Sequence, residues 1–291
     1  MPAEQTRYFV TAAAGQLGRH VVAELARRVG PAAVVAVVRN PDKAPGAFPE
    51  GIEVRAGDYE KPDTLDTALA GADRLLLISS NAVGTRVPQH ANVIDAAKRA
   101  GVKRIAYTSV LHADRSTLGL ADEHRETEAL LRASGIPTTL LRNGWYTENH
   151  AASIPPALQH DGFLGAAGEG RISAAAREDY AVAAAAALIG DAEGEDVVHE
   201  LAGDHGFTLA EFAAELSRQA GREIPYVNLS EADYRGALVQ AGLPEPVADT
   251  IANSDAAAAN GALFDEGGAL SRLIGRPTTS LATTIASSLK A

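Results

Sequence analysis

The chain carries, between residues 8 and 18, the stretch Tyr8-Phe9-Val10-Thr11-Ala12-Ala13-Ala14-Gly15-Gln16-Leu17-Gly18. Its beginning is typical of a short buried strand, and residues 15–29 carry an apolar stripe with helical spacing. Gly15 leaves room for a pyrophosphate beside the backbone, and Gly18 lets the helix pack closely on the strand. The helix N-terminus adds free N–H groups that favour phosphate. The stretch therefore predicts a dinucleotide site, although the motif alone also fits an ordinary loop with two glycines.

The alternation of strand and helix patterns continues beyond this stretch. Further strands are predicted at residues 34–38, 52–56, 74–78, 104–109 and 138–142, and helices at residues 62–69, 89–100 and 122–134. Strands that alternate with helices at this spacing form crossover units. The sequence therefore predicts an α/β fold with a doubly wound, Rossmann-type parallel sheet.

The second half of the chain is less regular. A late strand is predicted at residues 197–202, with helices at residues 208–220, 231–241 and from 270 onward. We expect residues 1–150 to form an NAD(P)-binding Rossmann domain. Residues 151–291 are expected to form a smaller, partly helical substrate-binding lobe, part of which returns to the sheet.

Composition narrows the class of protein. The 291 residues carry a formal net charge of -11, so binding to nucleic acid through counterion release is not expected. The chain has no cysteine, which excludes disulfides and thiolate sites. Residues 1–7 lack the apolar segment of a signal peptide, and the longest apolar stretch, residues 181–189, is too short to cross a bilayer. We expect a cytoplasmic protein with neither a nucleic-acid nor a membrane partner.

Arg39 follows the second predicted strand, about twenty residues after Gly18. Proteins that bind NAD usually place a carboxylate here, which would repel the additional phosphate of NADP. A guanidinium can instead hold that phosphate in a forked contact, and Lys43 is placed to assist. The alternative is a solvated surface arginine. Together with the glycine turn, Arg39 favours NADPH as the cofactor.

Polar residues also follow the other predicted strands. Ligands of open parallel sheets bind beyond the carboxyl ends of the strands, so these residues are expected along the cofactor. Each could equally serve only to form a turn. Asp58 is expected to contact the adenine. Ser79 and Ser80 are expected to contact the ribose and the phosphates. The residues are Asp58, Tyr59, Ser79, Ser80, Ser109 and Asn143.

Other chemistries lack their motifs. The sequence has no G-x-S-x-G turn of a serine hydrolase and no H-E-x-x-H metal motif. The segments after Tyr107 and Tyr146 lack the lysine of a Tyr-x-x-x-Lys pair, so the acid used to reduce ordinary ketones is not visible. His124 and Glu128 are spaced to share a ligand on one helix face, but a solvated helix pair is the favoured interpretation.

The chain resembles the NADPH-dependent quinone oxidoreductase type 2 group, within the NmrA-like atypical short-chain dehydrogenases. The resemblance covers almost the whole chain. It lies in Ala13-Ala14-Gly15-Gln16-Leu17-Gly18, Val37-Val38-Arg39-Asn40-Pro41, Leu75-Leu76-Leu77-Ile78-Ser79-Ser80, Pro88-Gln89-His90, Ile105-Ala106-Tyr107-Thr108-Ser109, Leu111-His112-Ala113-Asp114, Gly119-Leu120-Ala121-Asp122-Glu123-His124, Leu141-Arg142-Asn143-Gly144-Trp145-Tyr146, Leu229-Ser230-Glu231-Ala232-Asp233 and Leu273-Ile274-Gly275-Arg276-Pro277-Thr278-Thr279.

The resemblance implies hydride transfer from NADPH to a small quinone. It places along the cofactor the residues Ala12, Ala13, Ala14, Gly15, Gln16, Leu17, Arg39, Ser79, Ser80, Asn81, Asn143, Gly144, Trp145, Tyr146, Thr147 and Glu148. Thr11 and Gly18 are cofactor candidates from the strand–turn–helix motif itself. It implies a quinone site lined partly by Trp145 and Tyr146, and Asn143 is expected to orient the carboxamide or a quinone oxygen. The alternatives are a redox sensor without turnover and a reductase of another conjugated substrate such as a dye. A homodimer is one expected assembly.

The chain departs from the family in the glycine turn. The family has glycine where this chain has Ala12, and threonine where it has Ala14. If position 12 requires a positive φ, alanine costs about 1–2 kcal/mol there. Both changes are expected to weaken NADPH binding while leaving the fold intact.

Overall fold

The computed structural model describes residues 5–44, 46–190 and 194–290. Its strands are β1 (Tyr8–Val10), β2 (Val34–Val38), β3 (Glu53–Ala56), β4 (Arg74–Leu77), β5 (Arg104–Val110), β6 (Thr138–Asn143), β7 (Phe163–Gly165), β8 (Val197–Leu201) and β9 (Tyr226–Asn228). The helices of the first part are α1 (Gln16–Val29), α2 (Pro62–Ala68), α3 (Arg86–Arg99), α4 (Ala121–Ser134), α5 (Thr147–Ala151), α6 (Ile154–His160) and α7 (Arg177–Gly190). Those that follow are α8 (Leu209–Ala220), α9 (Glu231–Gln240), α10 (Glu245–Ala259), α11 (Ala269–Ile274) and α12 (Leu281–Ser288).

The contacts divide the chain into two compact units. Unit 1 takes the described residues up to Val110, together with Glu123–Arg142 and Tyr180–His199, and unit 2 takes the remainder. The predicted division at residue 150 stays a prediction. Within the described residues, none of the helices combines the length and the hydropathy that crossing a membrane requires.

Unit 1 is built on a seven-stranded sheet with the order β3-β2-β1-β4-β5-β6-β8. The pairs β1–β2, β1–β4, β2–β3 and β4–β5 are parallel. The strand order reverses between β1 and β4, which is the point where doubly wound sheets bind dinucleotides. The predicted Rossmann-type fold is confirmed, and the predicted late strand is β8, at the edge of the sheet.

Burial explains why the central strands of unit 1 are so apolar, whereas the edge strand β3 is largely exposed. Every residue of β1 and β2 is buried, as expected for strands covered on both faces. Phe9, Leu75 and Ile105 pack in one core cluster with Leu65 of α2 and Val93 of α3. The helix α3 begins three residues before the predicted start at residue 89, because Pro88 lies in its first turn, where the missing N–H breaks no helical hydrogen bond.

Unit 2 contains short helices around the two-stranded parallel sheet formed by β7 and β9. The helix α8 begins with a capping box in which Thr208 and Glu211 satisfy each other's backbone N–H groups. The ring of Phe212 packs against the rings of Phe163 and Phe207 among the buried residues of this unit. The predicted helices at residues 208–220 and 231–241 are α8 and α9, and the helix predicted from residue 270 onward is divided into α11 and α12. The short strands β7 and β9 were not predicted, because three residues carry too little alternation to recognise.

Candidate functional site

The glycine turn after β1 is held mainly by its own backbone and by the neighbouring strands. Thr11 donates from its N–H and from Oγ1 to the carbonyl oxygen of Leu76, at 3.0 and 3.1 Å. The N–H of Ala13 donates to the carbonyl oxygen of Val37 at 3.1 Å. Ala12 has a φ of +49°, so the positive φ considered for position 12 is present and an alanine occupies it.

The two glycines of the turn have different neighbours. A Cβ on Gly18 would lie 2.6 Å from the carbonyl oxygens of Ala12 and Ala13, so only glycine fits there. Gly15 precedes α1 as its N-cap, and no side chain caps that end of the helix. Gln16 is exposed and Leu17 is buried. The first turn of α1 therefore keeps the free N–H groups that suit a phosphate.

Arg39, just beyond β2, is exposed to solvent. The structure shows no hydrogen bond or ion pair between its guanidinium and any other described residue. Lys43 is also exposed, at the end of a short 3-10 turn that Asn40 caps by accepting from the N–H of Asp42. Both cations are thus free to meet an anion.

Asp58 and Tyr59 occupy the turn after β3. Asp58 Oδ1 accepts from the N–H of Glu60 at 3.1 Å, so its carboxylate shapes the turn. The Tyr59 hydroxyl lies 2.5 Å from Thr11 Oγ1 and 2.9 Å from the carbonyl oxygen of Ile78. Burial raises the pKa of Tyr59 well above its usual value, so it remains a neutral phenol. Tyr59 therefore links this turn to the glycine turn.

The loop after β4 contains Ser79, Ser80 and Asn81. Ser79 donates from its N–H to Thr108 Oγ1 at 2.8 Å, and the Thr108 hydroxyl donates to Ser79 Oγ at 3.2 Å. The N–H of Ser80 donates to His90 Nε2 at 2.9 Å. Asn81 is exposed. The loop is thus fixed by Thr108 and His90, whose structural roles the sequence analysis missed, although both lie in segments that carry the family resemblance.

Ser109, at the end of β5, donates to Glu128 Oε1 at 2.7 Å. Arg142 binds the same carboxylate at 2.8 and 3.0 Å. Burial alone would raise the pKa of Glu128, but hydrogen bonds from Arg142 and Ser109 bring it below its usual value. The predicted contact of Ser109 with the cofactor stays a prediction.

The interpretation of His124 and Glu128 as a solvated helix pair is wrong. The exposed fractions of these residues are 4% and 1%. His124 Nδ1 lies 2.7 Å from the Tyr107 hydroxyl, and its Nε2 lies 3.0 Å from a guanidinium nitrogen of Arg86. The two side chains face separate buried networks because α4 packs inside unit 1, which helical spacing alone does not show.

Residues Asn143–Glu148 lie in unit 2 and are also tightly bound. The carbonyl oxygen of Asn143 accepts from Leu111 N–H at 2.8 Å, and Gly144 N–H donates to the carbonyl oxygen of Leu201 at 2.7 Å. The carbonyl oxygen of Trp145 and the N–H of Thr147 both bond to the backbone of Ala175. The carboxylate of Glu148 accepts from the N–H of Arg177 at 2.9 and 3.0 Å. These contacts hold the backbone of the segment at several points.

Asn143 is the buried polar residue of this segment with an unused atom. Its Oδ1 is buried and has no hydrogen-bond partner among the described residues. A hydrogen bond joins its side chain to the Tyr146 hydroxyl, so its Nδ2 must be the donor. Burial raises the pKa of Tyr146, and the guanidinium of Arg177 lies 4.8 Å over its ring. An acceptor that is buried and unpaired is rare in folded proteins and is consistent with a ligand contact.

Known proteins resemble the chain over nearly its full length. Quinone oxidoreductase 2 of Escherichia coli is 56% identical over 95% of this chain and 96% of that protein. The crystal structure of the Escherichia coli NADPH-dependent quinone oxidoreductase complexed with NADPH superposes with a TM-score of 0.93, at 54% identity, over 96% of this chain and 99% of that one. Triphenylmethane reductase of Citrobacter sp., complexed with NADP(H), gives a TM-score of 0.91 at 35% identity over 97% and 99%.

A family profile described as NAD(P)H-binding matches residues 12–189, which begin inside the glycine turn and include the strands β2 to β6 of the sheet. The profile and the full-length relatives agree with the resemblance noted in the sequence. The chain therefore belongs to the NAD(P)H-binding family and, among its NmrA-like atypical short-chain dehydrogenases, to the NADPH-dependent quinone oxidoreductase type 2 group.

Proposed function

We propose that the chain is an NADPH-dependent oxidoreductase that transfers a hydride to a quinone. The observation that carries the proposal is the 56% identity, over 95% of the chain, with a quinone oxidoreductase. The glycine turn, Arg39, the loop after β4 and the segment Asn143–Glu148 contain residues that suit this chemistry.

The glycine turn fits the pyrophosphate of NADPH. The backbone of Ala12 and Ala13 lies so close to Gly18 that a side chain does not fit there. The uncapped start of α1 offers N–H groups to phosphate oxygens. The methyl of Ala12 and its positive φ leave the turn in a less favourable conformation than glycine would have. The predicted weakening of NADPH binding by Ala12 and Ala14 stays a prediction.

Arg39 supplies selectivity for NADPH in this proposal. Its guanidinium is exposed and has no partner among the described residues, so binding the 2′-phosphate breaks no existing ion pair. Ser79, Ser80 and Asn81 supply polar groups for the ribose and the phosphates.

Asn143, Trp145 and Tyr146 serve the reacting groups. The unpaired Oδ1 of Asn143 is suited to accept a hydrogen bond from the nicotinamide carboxamide, which would fix the ring. Burial raises the pKa of Tyr146, so its side chain remains a neutral phenol. Trp145 and Tyr146 offer aromatic surface for a flat quinone.

Bound NADPH supplies the hydride, and the quinone gains that hydride and one proton to become a hydroquinone. The hydroquinone anion is far less basic than an alkoxide, so water can provide the proton. This explains why a Tyr-x-x-x-Lys pair is unnecessary. Tyr107 is fully buried against His124, which leaves it unavailable as a proton donor. Catalysis then rests on holding the two rings in contact.

The test is oxidation of NADPH by the pure protein in the presence of simple quinones, monitored as the loss of NADPH absorbance. Asn143→Leu should lower kcat/KM by about tenfold or more, because the positioning acceptor is removed. Thr138→Val, a buried change at the other end of β6, should leave kcat/KM unchanged. Failure of the wild-type protein to exceed the non-enzymatic rate contradicts the proposal.

The same assay separates the alternatives. Tight binding of NADPH without turnover of any quinone would support the redox sensor, and faster reduction of dyes than of quinones would support a dye reductase. Cytoplasmic location, a homodimeric assembly and the lack of nucleic-acid and membrane partners stay predictions. Light scattering on the purified protein tests the assembly.

A further inference from the structure

His90 is a fully buried residue of α3 that lies beside the loop after β4. Its Nε2 is 2.9 Å from the backbone nitrogen of Ser80. Its Nδ1 is 2.9 Å from Thr127 Oγ1, on α4. Both ring nitrogens therefore have partners, and the partners belong to different elements of unit 1.

These partners determine the tautomer of the imidazole. A backbone N–H can only donate, so the Nε2 of His90 must be unprotonated and accept. The Nδ1 then carries the hydrogen and donates to Thr127 Oγ1. The Thr127 hydroxyl donates onward to the carbonyl oxygen of Glu123 at 2.8 Å. Each hydrogen bond has one direction, which holds the ring in one orientation.

The imidazole also stays neutral. Burial lowers the pKa of His90 to about 3, and the positive charge of Arg86 acts in the same direction. The other groups packed against the ring, Tyr59 and Tyr107, are neutral phenols whose pKa values burial raises. The Nε2 of His90 is thus an acceptor throughout the neutral pH range.

His90 contacts the glycine turn indirectly as well. The ring of Tyr59 meets His90 edge-on, with centroids 6.3 Å apart and planes at 74°. The hydroxyl of Tyr59 lies 2.5 Å from Thr11 Oγ1, at the start of the glycine turn. One imidazole therefore holds the loop after β4 directly and touches the side chain that braces the loop after β1.

We propose that His90 is a positioning residue for NADPH, which fixes the peptide of Ser80 and supports Tyr59 so that the two loops at the switch point keep the shape that the cofactor needs. His90 does not touch the cofactor in this proposal. The inference rests on the proposed function, because it assigns the loops after β1 and β4 to NADPH.

The acceptor on Nε2 has a specific consequence for the loop. Without it, the N–H of Ser80 would have no partner at this position, and the peptide would rotate to find one. Ser79, whose N–H is held by Thr108, would then be fixed on one side only. The loop would populate several conformations, and only a fraction of them would bind NADPH. The apparent affinity would then equal the intrinsic affinity multiplied by that fraction.

Two substitutions separate the two nitrogens of the ring. Asparagine reproduces the position of Nδ1 and can still donate to Thr127, but it does not reach Ser80. Glutamine extends to the position of Nε2 and can accept from Ser80 through its side-chain oxygen. Val93→Ala is the matched control, because Val93 is buried on the same helix and contacts neither loop through a hydrogen bond.

The experiment measures the Kd of NADPH by titration and, without cofactor, the hydrogen exchange of the Ser80 amide. His90→Asn should raise the Kd about tenfold and speed exchange at Ser80. Glutamine at this position should recover most of both losses. The KM for NADPH should rise in His90→Asn while kcat at saturating NADPH stays within about twofold. Val93→Ala should lower thermal stability and leave the Kd unchanged.

The outcomes distinguish the two proposals. Wild-type protein that does not bind NADPH overturns the proposed function, and the Ser80 exchange rates still test the contact with His90. Wild-type protein that binds NADPH, with equal affinity in His90→Asn, overturns the positioning role. Equal losses of affinity in His90→Asn, His90→Gln and Val93→Ala also overturn it, because they reflect stability alone.

Discussion

Two loops lie at the switch point of the sheet, and they are shaped in different ways. The loop after β1, from Thr11 to Gly15, is formed mainly by tight backbone packing against Gly18 of α1 and by hydrogen bonds to the adjacent strands. The loop after β4, with Ser79 and Ser80, is fixed by the side chains of Thr108 and His90, which are distant in the sequence.

The difference shows where each loop is vulnerable. The hydrogen bonds of the loop after β1 come mainly from backbone groups and from the hydroxyls of Thr11 and Tyr59, and its weak point is conformational, at Ala12. The loop after β4 depends on a buried imidazole that must stay neutral. Changes to backbone conformation should therefore affect mainly the first loop, and changes in the protonation of His90 should affect mainly the second.

The largest effect is expected for Gly18→Ala. The added methyl would overlap backbone atoms of Ala12 and Ala13, which cannot move without displacing β1, so we expect a loss of about 3 kcal/mol or more in unfolding free energy. NADPH binding should be lost with it. Gly236→Ala, in the interior of α9 with no atom near the added methyl, should be neutral or stabilising. Wild-type stability of Gly18→Ala in chemical denaturation would contradict the close packing of this turn.

Arg39→Ala should have the next largest effect, on the choice of cofactor. Removing the free guanidinium should weaken NADPH by about 2 kcal/mol, roughly thirtyfold, and leave NADH nearly unchanged. Lys98→Ala removes the same charge from the exposed end of α3 and should alter neither affinity. Equal losses for both dinucleotides in binding titrations would remove Arg39 from the phosphate site.

The pH dependence of His90→Asn probes the loop after β4. The folded-state pKa of His90, about 3, lies below its ordinary value of about 6.5, so the unfolded chain takes up the proton first as the pH falls. The free energy of unfolding of the wild-type protein therefore decreases as the pH falls below about 6.5. Asparagine has no such titration.

The destabilisation caused by His90→Asn should consequently shrink by about 2 kcal/mol between about pH 8 and about pH 5. His150, whose pKa is also lowered by burial, titrates in both proteins and cancels in the difference. Urea denaturation of both proteins at the two pH values measures this change in destabilisation. A destabilisation that is independent of pH would mean that His90 is not held neutral.

The smallest effect is expected for Ala12→Gly. Glycine accepts the φ of +49° without strain but loses more entropy on folding, so the net gain in unfolding free energy should be about 0.5–1 kcal/mol. NADPH should also bind more tightly. The Kd of NADPH and the midpoint of urea denaturation, compared between the wild type and Ala12→Gly, measure both effects. Unchanged values would show that the turn tolerates the methyl of Ala12.

Local patterns predicted much of unit 1. The valine-rich run of β2, the apolar stripe of α1 and the glycine turn each predict their own conformation, because period and turn chemistry act over a few residues. The same approach failed for His124 and Glu128. Their burial depends on α4 packing within unit 1, and no spacing within one helix reveals that.

The sequence alone was sufficient for the Rossmann-type sheet, the glycine turn after β1 and the position of Arg39 just beyond β2, because these features depend on contiguous residues and on fixed spacing between strands. The tertiary structure was needed to show that Ala12 has a positive φ, that the Oδ1 of Asn143 is buried without a partner, and that His90 holds Ser80. Those properties depend on atoms brought together from distant elements, and pairing, burial and protonation follow only from that proximity.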